Sequence, residues 1–470
     1  MNRYRLTCMV TAICYFLNFI SAQIDFRQFP LDSFRLPDID RKALDVSGSF
    51  SSRYTDVHSD LEFFDTHSYN ISPRFNINYF RYINRQNLQA QWTIHADEDF
   101  SISYEDSPST EEPLFRVHSD PDLNFNGTMR KYRDNSFLEY GMNFNISHTY
   151  EYLKESQALR EARSKNLTFR TGIAPTIGFG KGRLEPISDV SMAMFILKDA
   201  IELGVDGSGI STNDIYKFAQ LMADVRNRRI FDNRILRIQE LRDLYSFMLD
   251  KGWTRPEDPG FFTVLTDNWY SNDRFLRESG RRWRYLLTPE LNYLSRILKE
   301  DFFQTSRSES LSFQVTGLVE FRREKPISLF KDNWRIHRLS TSVFNHNIID
   351  NTFLQPNTFL NVNFENGIGK DFYPNNRTFI TTSLNGIYSF YKSLSGDNPT
   401  KDQHVISAEL QGDCSYFLSY RSRITANILF QYTQNTGGQS LVPIVAGIST
   451  NGKSNGFHAR LGASLIVSLF

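Results

Sequence analysis

The sequence has few cysteines, no excess of either charge and no long apolar run after its N-terminus. Lys and Arg number 53, as do Asp and Glu, so the charge balance gives no indication of a nucleic-acid partner. The lack of apolar runs excludes a helical inner-membrane protein, because a spanning helix needs about 20 mostly apolar residues. It does not exclude a membrane β-barrel, whose strands are apolar on one face only.

Only three cysteines are present, and two of them lie in an apolar run at residues 6–20. Arg3 and Arg5 precede this run and Ala22 follows it, which is the layout of a cleavable secretory signal. We therefore predict a signal peptide at residues 1–22. A chain without this signal keeps a single cysteine, which excludes an internal disulfide.

Apolar and polar residues alternate with a period of two in many parts of the chain, most clearly over residues 404–434. This alternation predicts strands with one apolar and one polar face. Two such strands joined by two residues form a hairpin tall enough to cross a bilayer, which takes about 9–11 residues per tilted strand. A single hairpin also fits a soluble sandwich or barrel. The apolar positions are Ile406, Ala408, Leu410, Gly412, Cys414, Tyr416 and Leu418, then Ile424, Ala426, Ile428, Phe430 and Tyr432.

Similar runs recur along the chain, and the connections between them favour the membrane barrel. Long connections, such as 57–69 and 105–121, fall on one side, whereas short ones, such as 83–86 and 133–135, fall on the other. Membrane barrels sort their loops in this way, and a soluble sandwich has no reason to. We predict an all-β transmembrane β-barrel of about fourteen antiparallel strands, at residues 43–56, 70–82, 87–104, 122–132, 136–150, 165–180, 280–297, 309–323, 333–346, 357–371, 377–391, 404–419, 421–434 and 456–470.

One connection on the short side, residues 181–278, changes to helical spacing. It predicts an α-helical insert between two barrel parts, 43–180 and 279–470, with a polar leader at 23–42 before the first strand. By strand parity the insert lies in the periplasm, either beneath the barrel or folded into its mouth. Three helices are predicted, one from Ser188 to about Gly204, one after Ser211 or Thr212, and one over about 229–250.

The segment that leads into the insert resembles a group of Bacteroidota outer-membrane barrels with a helical insert. The matching entry residues are Gly178, Gly180, Arg183, Glu185, Pro186 and Asp189. A second match consists of Arg229, Phe231, Asp232 and Arg234, although position 230 is isoleucine where the group has an aromatic residue. The resemblance covers about 90 residues. It implies the bacterial outer membrane and a porin-like fold, and it implies no mechanism.

A basic segment within the insert is the candidate docking site. Its residues are Arg226, Arg228, Arg229, Arg234 and Arg237, and they outweigh the neighbouring acids. One interpretation is a face that binds an anionic partner, either a periplasmic protein or a peptidoglycan peptide. The other is a solvated helix face with local ion pairs, for example between Arg237 and Glu240.

No pattern indicates an enzyme, a cofactor or a metal. The cluster of Ser454, Asn455, Gly456 and His458 has its histidine on the wrong side for the barrel phospholipases, so it is read as a turn. Residues 206–214 resemble a calcium loop but lack its closing glutamate. We therefore expect no catalytic, cofactor-binding or metal residues.

The predicted polar face is rich in Asn, Ser and Thr, which suits a lumen for water and small solutes. The leading hypothesis is a porin-like channel or transport protein for small solutes, in which the helical insert would act as the gate. The alternative is a structural or assembly component of the outer membrane whose insert docks periplasmic partners. Expected partners are the lipid bilayer, lipopolysaccharide and the barrel assembly machinery, for which Phe470 is the predicted signal.

Overall fold

The computed structural model describes residues 29–467 except 37, 58–65, 107–113, 158–159, 208–209, 228–232, 255–258, 272–276, 302, 350–356, 395–401, 420–421 and 437–453. The predicted signal peptide and the predicted assembly signal, Phe470, lie outside these residues. Neither prediction is tested by the structure.

Fourteen antiparallel strands form one sheet in which each strand pairs with its neighbours in the sequence. They are β1 (Ile39–Val57), β2 (Thr66–Arg85), β3 (Leu88–Asp106), β4 (Leu114–Arg133), β5 (Ser136–Gln157), β6 (Arg160–Pro186), β7 (Glu278–Glu300), β8 (Phe303–Ser328), β9 (Lys331–Ile349), β10 (Asn357–Asn375), β11 (Thr378–Ser393), β12 (Gln403–Ser419), β13 (Ser422–Thr436) and β14 (Ser454–Val467). The predicted number, order and direction of the strands are confirmed.

Most strands extend beyond the predicted bounds. β4 begins at Leu114 rather than near 122, because the alternation is obscured by Asp120 and Pro121. The pairing of β4 with β5 skips these two positions, as expected for a proline that has no N–H to donate. The ladder between β4 and β3 continues through them.

Between β6 and β7 lie four helices, which are α1 (Ser188–Glu202), α2 (Thr212–Asn227), α3 (Asn233–Asp250) and α4 (Pro259–Ser271). The first three were predicted, although the start of the third, near 229, falls outside the described residues. The fourth was missed. It has Pro259 at its first position and buries Phe261, Leu265 and Trp269, which follow one another at a spacing of four.

The helices and the segment at 29–36 form one unit, which we call the helical cap. Leu31 and Phe34 of this segment are buried in the same core as α1–α4. Tyr216 of α2 donates a hydrogen bond from its hydroxyl to the carbonyl oxygen of Pro30, at 2.8 Å. The predicted leader at 23–42 therefore contributes to the cap through residues 29–36, whereas its predicted end is wrong because β1 already begins at Ile39.

The cap lies at the end of the sheet where strands are joined by two-residue turns, which we call the short-turn end. Leu329 and Phe330, in the turn between β8 and β9, are buried in the core of the cap, and so is Tyr373 at the end of β10. The cap therefore contacts turns and strand ends rather than the middle of the strands. The predicted periplasmic location of the insert stays a prediction. Among the described residues, no helix combines the length and the apolar character that crossing a bilayer requires.

The sheet is curled into a barrel around this end. Arg41 of β1 pairs with Asp189 of α1, and Arg377 beside β11 pairs with Asp267 of α4. These two helices are in direct contact, since Asn268 of α4 donates to Asp199 of α1. In a flat sheet β1 and β11 would lie about 48 Å apart, at about 4.8 Å per strand, whereas two packed helices span only about 20 Å.

The two faces of the sheet differ in chemistry. Apolar side chains on one face are exposed in most strands, for example Ile177 (55%), Phe179 (59%) and Leu287 (49%). The other face carries Asn, Thr, Arg and Glu side chains, and Arg41 on this face pairs with Asp189 of the cap. The apolar face is therefore the outside of the barrel and the polar face is the inside, as predicted.

Candidate functional site

The glycines of the entry segment allow β6 to lie unusually close to β7. A Cβ atom at Gly178 would lie 2.2 Å from the carbonyl oxygen of Tyr285, and one at Gly180 would lie 2.3 Å from that of Trp283. Gly182 also has a positive φ of 89°, which favours glycine. Gly178 and Gly180 belong to the predicted entry motif and Gly182 does not, and the structure gives a steric reason for each of the three glycines.

After the glycines, Arg183 anchors the entry segment to the turn between β2 and β3. Its guanidinium donates to the carbonyl oxygens of Gln86 and Arg85, at 2.7 and 2.8 Å. It pairs with Glu185, at 2.6 Å between Nε and Oε1, and lies over the ring of Tyr132. Pro186 then ends β6. The segment therefore ties the start of the cap to a neighbouring hairpin.

Asp189, in the first turn of α1, joins three elements of the structure. Arg41 of β1 and Arg226 of α2 donate to its two carboxylate oxygens, at 3.0 and 2.9 Å. Asp189 is 2% exposed, so both arginines compensate a buried charge. The position at the N-terminus of a helix also suits a carboxylate. Asp189 thus fixes the cap to the first strand.

The end of the cap is fixed by Arg277, immediately before β7. Its guanidinium pairs with Asp332 of β9, donates to the carbonyl oxygens of Leu329 and Ser328, and lies over the ring of Tyr373. Its backbone N–H donates to the Ser188 hydroxyl, and its carbonyl oxygen accepts from the N–H of Ile187, at 2.8 Å. The first and last residues of the cap therefore lie side by side.

Among the predicted docking arginines, Arg226 is the one whose side chain the structure describes. Arg226 is 7% exposed, pairs with Asp189 and lies over the ring of Trp269, so its assignment to an exposed docking face is wrong. The sequence alone did not show that the carboxylate partner of Arg226 is Asp189, which lies 37 residues earlier. Arg228 and Arg229 lie outside the described residues. Arg234 and Arg237 are in α3, and their side chains are not described.

Two carboxylates in the cap have shifted pKa values of opposite sign. Burial raises the pKa of Asp199 in α1 above its usual value, although a hydrogen bond from Asn268 partly offsets this. Hydrogen bonds from Lys251 and Ser211 lower the pKa of Asp214 in α2. The first carboxylate therefore disfavours its charged form in the folded cap, and the second favours it.

A network of arginines and glutamates crosses the inner wall, and sequence analysis did not identify it. Glu139 of β5 pairs with Arg130 of β4 and with Arg284 of β7, at 2.8 and 3.0 Å. Glu320 of β8 pairs with Arg282, Arg284 and Arg338, and Arg338 also pairs with Glu365 of β10. The sequence contained one signal of this network, because each of these strands has a charged residue at a position whose side chain faces inward.

A cavity of about 390 Å³ lies where this network meets the cap. Arg277, Arg322 and Arg338 line it together with Glu324, Asp371 and Tyr373. Among the described residues, no group of three or more His, Cys, Asp or Glu side chains is arranged to hold a metal ion. The site therefore offers charged and polar contacts to a solute on the inner wall.

Comparison with known proteins adds little to this description. A scan against protein-family models and a search of curated proteins give no match. Among solved structures, the chain is similar to the translocator domain of the autotransporter NalP from Neisseria meningitidis. The identity is 9%, the match covers 88% of this chain and 95% of that chain, and the TM-score is 0.25. A score this low carries no argument, and the fold assignment rests on the strand pairing described above.

Proposed function

We propose that this protein is a bacterial outer-membrane β-barrel that conducts small polar solutes and whose periplasmic mouth is covered by the helical cap. The observation that carries the proposal is the contrast between an exposed apolar outer face and a charged inner wall. Soluble monomers rarely expose a contiguous apolar patch of more than several hundred Å². Here exposed apolar side chains recur on strands from β1 to β14.

The height of the apolar band on β7 supports a membrane. Outward positions run from Trp283 and Tyr285 through Leu287 and Leu291 to Tyr293. The ten residue steps from Trp283 to Tyr293 correspond to about 34 Å along the strand, or about 26 Å across a bilayer at a tilt of about 40°. Membrane barrels have an apolar band about 25 Å tall between aromatic girdles. Trp283, Tyr285 and Tyr293 occupy the positions of those girdles.

The inner wall supports passage of polar or positively charged solutes. Apart from the arginine–glutamate network, it carries carboxylates opposite one another on β3 and β4, where Asp97 pairs in register with Asp122 and Asp99 with Asp120. Like charges placed opposite each other cost stability in a sheet, and a pair between Asp97 and Arg74 and a hydrogen bond from Thr149 to Asp120 offset part of that cost. A wall of this kind raises the local concentration of cations.

The second candidate is a structural or assembly component that uses the barrel as an anchor. The attachment of the cap through Asp189 and Arg277 favours it, because buried pairs at both ends oppose a freely moving gate. In this function the cap would dock a periplasmic protein or peptidoglycan. Both candidate functions share the same expected partners, which are lipopolysaccharide and the barrel assembly machinery. Both also agree with the expected resemblance to the Bacteroidota group.

Planar-bilayer recordings of the purified, refolded protein test the channel. We expect discrete conductance steps and a reversal potential that favours cations. Asp122→Asn should shift the reversal potential towards anions, whereas Asp250→Asn, at the exposed end of α3, makes the same charge change away from the wall and should not. Absence of steps in bilayers that contain folded protein would leave the anchor as the function.

A further inference from the structure

The outer surface of the barrel has a groove at its short-turn end, where β4, β5, β6 and β7 meet. Its volume is about 720 Å³, within the range of small-molecule sites. Outward apolar side chains form its floor, namely Leu138, Phe179, Trp283 and Tyr285. The rings of Phe179 and Tyr285 are stacked, with centroids 5.1 Å apart. The floor is therefore a flat apolar surface that faces away from the lumen.

Cations line the rim of the groove on the side nearest the turns. Lys131, Arg133 and Lys181 are exposed and occupy outward positions, and all three line the groove. Within the described residues, no carboxylate forms an ion pair with any of them. The nearest carboxylate in the sequence, Asp134, belongs to the β4–β5 turn, where it has a positive φ of 55°.

The same arrangement continues on the next strands. Arg281 of β7 is opposite Arg323 of β8, and both lie two residues nearer the short-turn end than the outward aromatic pair Trp283 and Phe321, whose centroids are 4.4 Å apart. Lys325 follows on β8. Three exposed cations thus extend the rim beyond the groove. Like charges on neighbouring strands repel one another, and an anion bound at the rim would reduce this repulsion.

We infer that this groove binds one anionic phospholipid of the leaflet next to the cap. Its phosphate would lie between Lys131, Arg133 and Lys181, and an acyl chain would lie on Phe179 and Tyr285. Charge complementarity and position lead to this occupant, because aromatic side chains mark the membrane interface and cations one step beyond them reach the headgroups. The inference rests on the proposed membrane location and is independent of conduction.

Native mass spectrometry of the folded, full-length protein in detergent tests the groove. The probes are dioleoyl phosphatidylglycerol, dioleoyl phosphatidylcholine and inorganic phosphate. The unaltered protein should retain phosphatidylglycerol in preference to the other two. Lys131→Gln combined with Lys181→Gln should reduce this preference between about fivefold and twenty-five-fold, on the basis of roughly fivefold for each cation near an anionic surface.

The matched control removes two exposed cations at the opposite end of the barrel. Lys165→Gln combined with Lys299→Gln changes the net charge equally, and these residues pair in register between β6 and β7. The control should keep the lipid preference. An equal loss in both variants would show non-specific attraction and overturn the inference. Retention of inorganic phosphate in place of lipid would overturn it as well.

A measurement without charge variants covers the case in which they do not fold. The vesicles consist of phosphatidylcholine with about 20% phosphatidylglycerol, which gives a measurable surface potential. In these vesicles, brominated phosphatidylglycerol should quench the fluorescence of Trp283 more than brominated phosphatidylcholine does. The difference should disappear in Trp283→Phe. Equal quenching would reject the lipid site while leaving the membrane barrel intact. Failure of the unaltered protein to enter vesicles would instead reject the membrane proposal itself.

Discussion

Glu139 and Arg284 form an ion pair across a strand that lies between them. The two residues belong to β5 and β7, and their Oε1 and Nη1 atoms are 3.0 Å apart above β6. The intervening strand has Gly178 and Gly180 at the inner positions, so no side chain separates the pair. The glycine-rich entry to the cap therefore also allows the inner charge network to cross from β5 to β7.

Gly180→Ala should destabilise the barrel by about 1–3 kcal/mol, the usual cost of overpacking. The new Cβ would meet the carbonyl oxygen of Trp283 and the ring of Phe137, both at 2.3 Å. Gly386→Ala is the control, since its nearest neighbour is 4.0 Å away. The measurement is the denaturation midpoint of the heat-modifiable folded form. Equal midpoints in the two variants would contradict the close-approach explanation.

Arg277→Met should release the end of the cap from the barrel, because it leaves Asp332 buried without its partner, at a cost of about 3–5 kcal/mol. Limited proteolysis of the cap should become faster. Arg377→Met removes the exposed pair with Asp267, which also joins the cap to the strands and contributes only about 0–1 kcal/mol. If both variants are cleaved at the same rate, the buried pair does not hold the cap.

The two shifted carboxylates predict opposite pH dependences for the cap. Because the folded pKa of Asp199 is raised, its contribution to stability falls as pH rises from 3.8 through the folded pKa, so Asp199→Asn should be the more stable form above that window. Because the folded pKa of Asp214 is lowered, its contribution is present above 3.8 and is lost as pH falls through the folded pKa. Asp214→Asn should therefore be less stable than the unaltered protein at pH 7.

Helical circular dichroism during urea unfolding, at several values between pH 3 and pH 7, checks both directions. The unaltered chain is the reference at each pH, and gel mobility reports the barrel separately. The same sign of change for both variants would contradict the assigned causes, which are burial at Asp199 and hydrogen bonds from Lys251 and Ser211 at Asp214.

Deletion of residues 190–275 with a short Gly/Ser linker should leave a barrel that conducts more than the full chain. A short linker suffices, because the N–H of Ile187 lies 2.8 Å from the carbonyl oxygen of Arg277. The deletion exposes Leu329, Phe330 and Tyr373, which the cap buries, so some loss of stability is expected. The measurements are single-channel conductance and heat-modifiable mobility. Loss of the folded form would show that the cap is part of the barrel core.

The sequence by itself determined the number of strands, their order and their two faces. Apolar and polar residues that alternate with a period of two show which side chains share a face of a strand. This pattern is local and does not depend on distant residues, as the runs around Ile406 and Ile424 illustrate. It also located the helical insert, since a period near 3.6 is equally local. The fourth helix escaped because Phe261, Leu265 and Trp269 occupy only three turns beside a proline.

Only the tertiary structure decided which charges are available. Arg226 looks like an exposed docking residue in the sequence, and it is buried because the fold brings Asp189 and Trp269 against it. Glu139 meets Arg284 from 145 residues away, and Arg277 meets Asp332 from 55. Periodicity assigns a face to each charge, but its partner depends on strand register and on the packing of the cap, which are set by contacts distant in sequence.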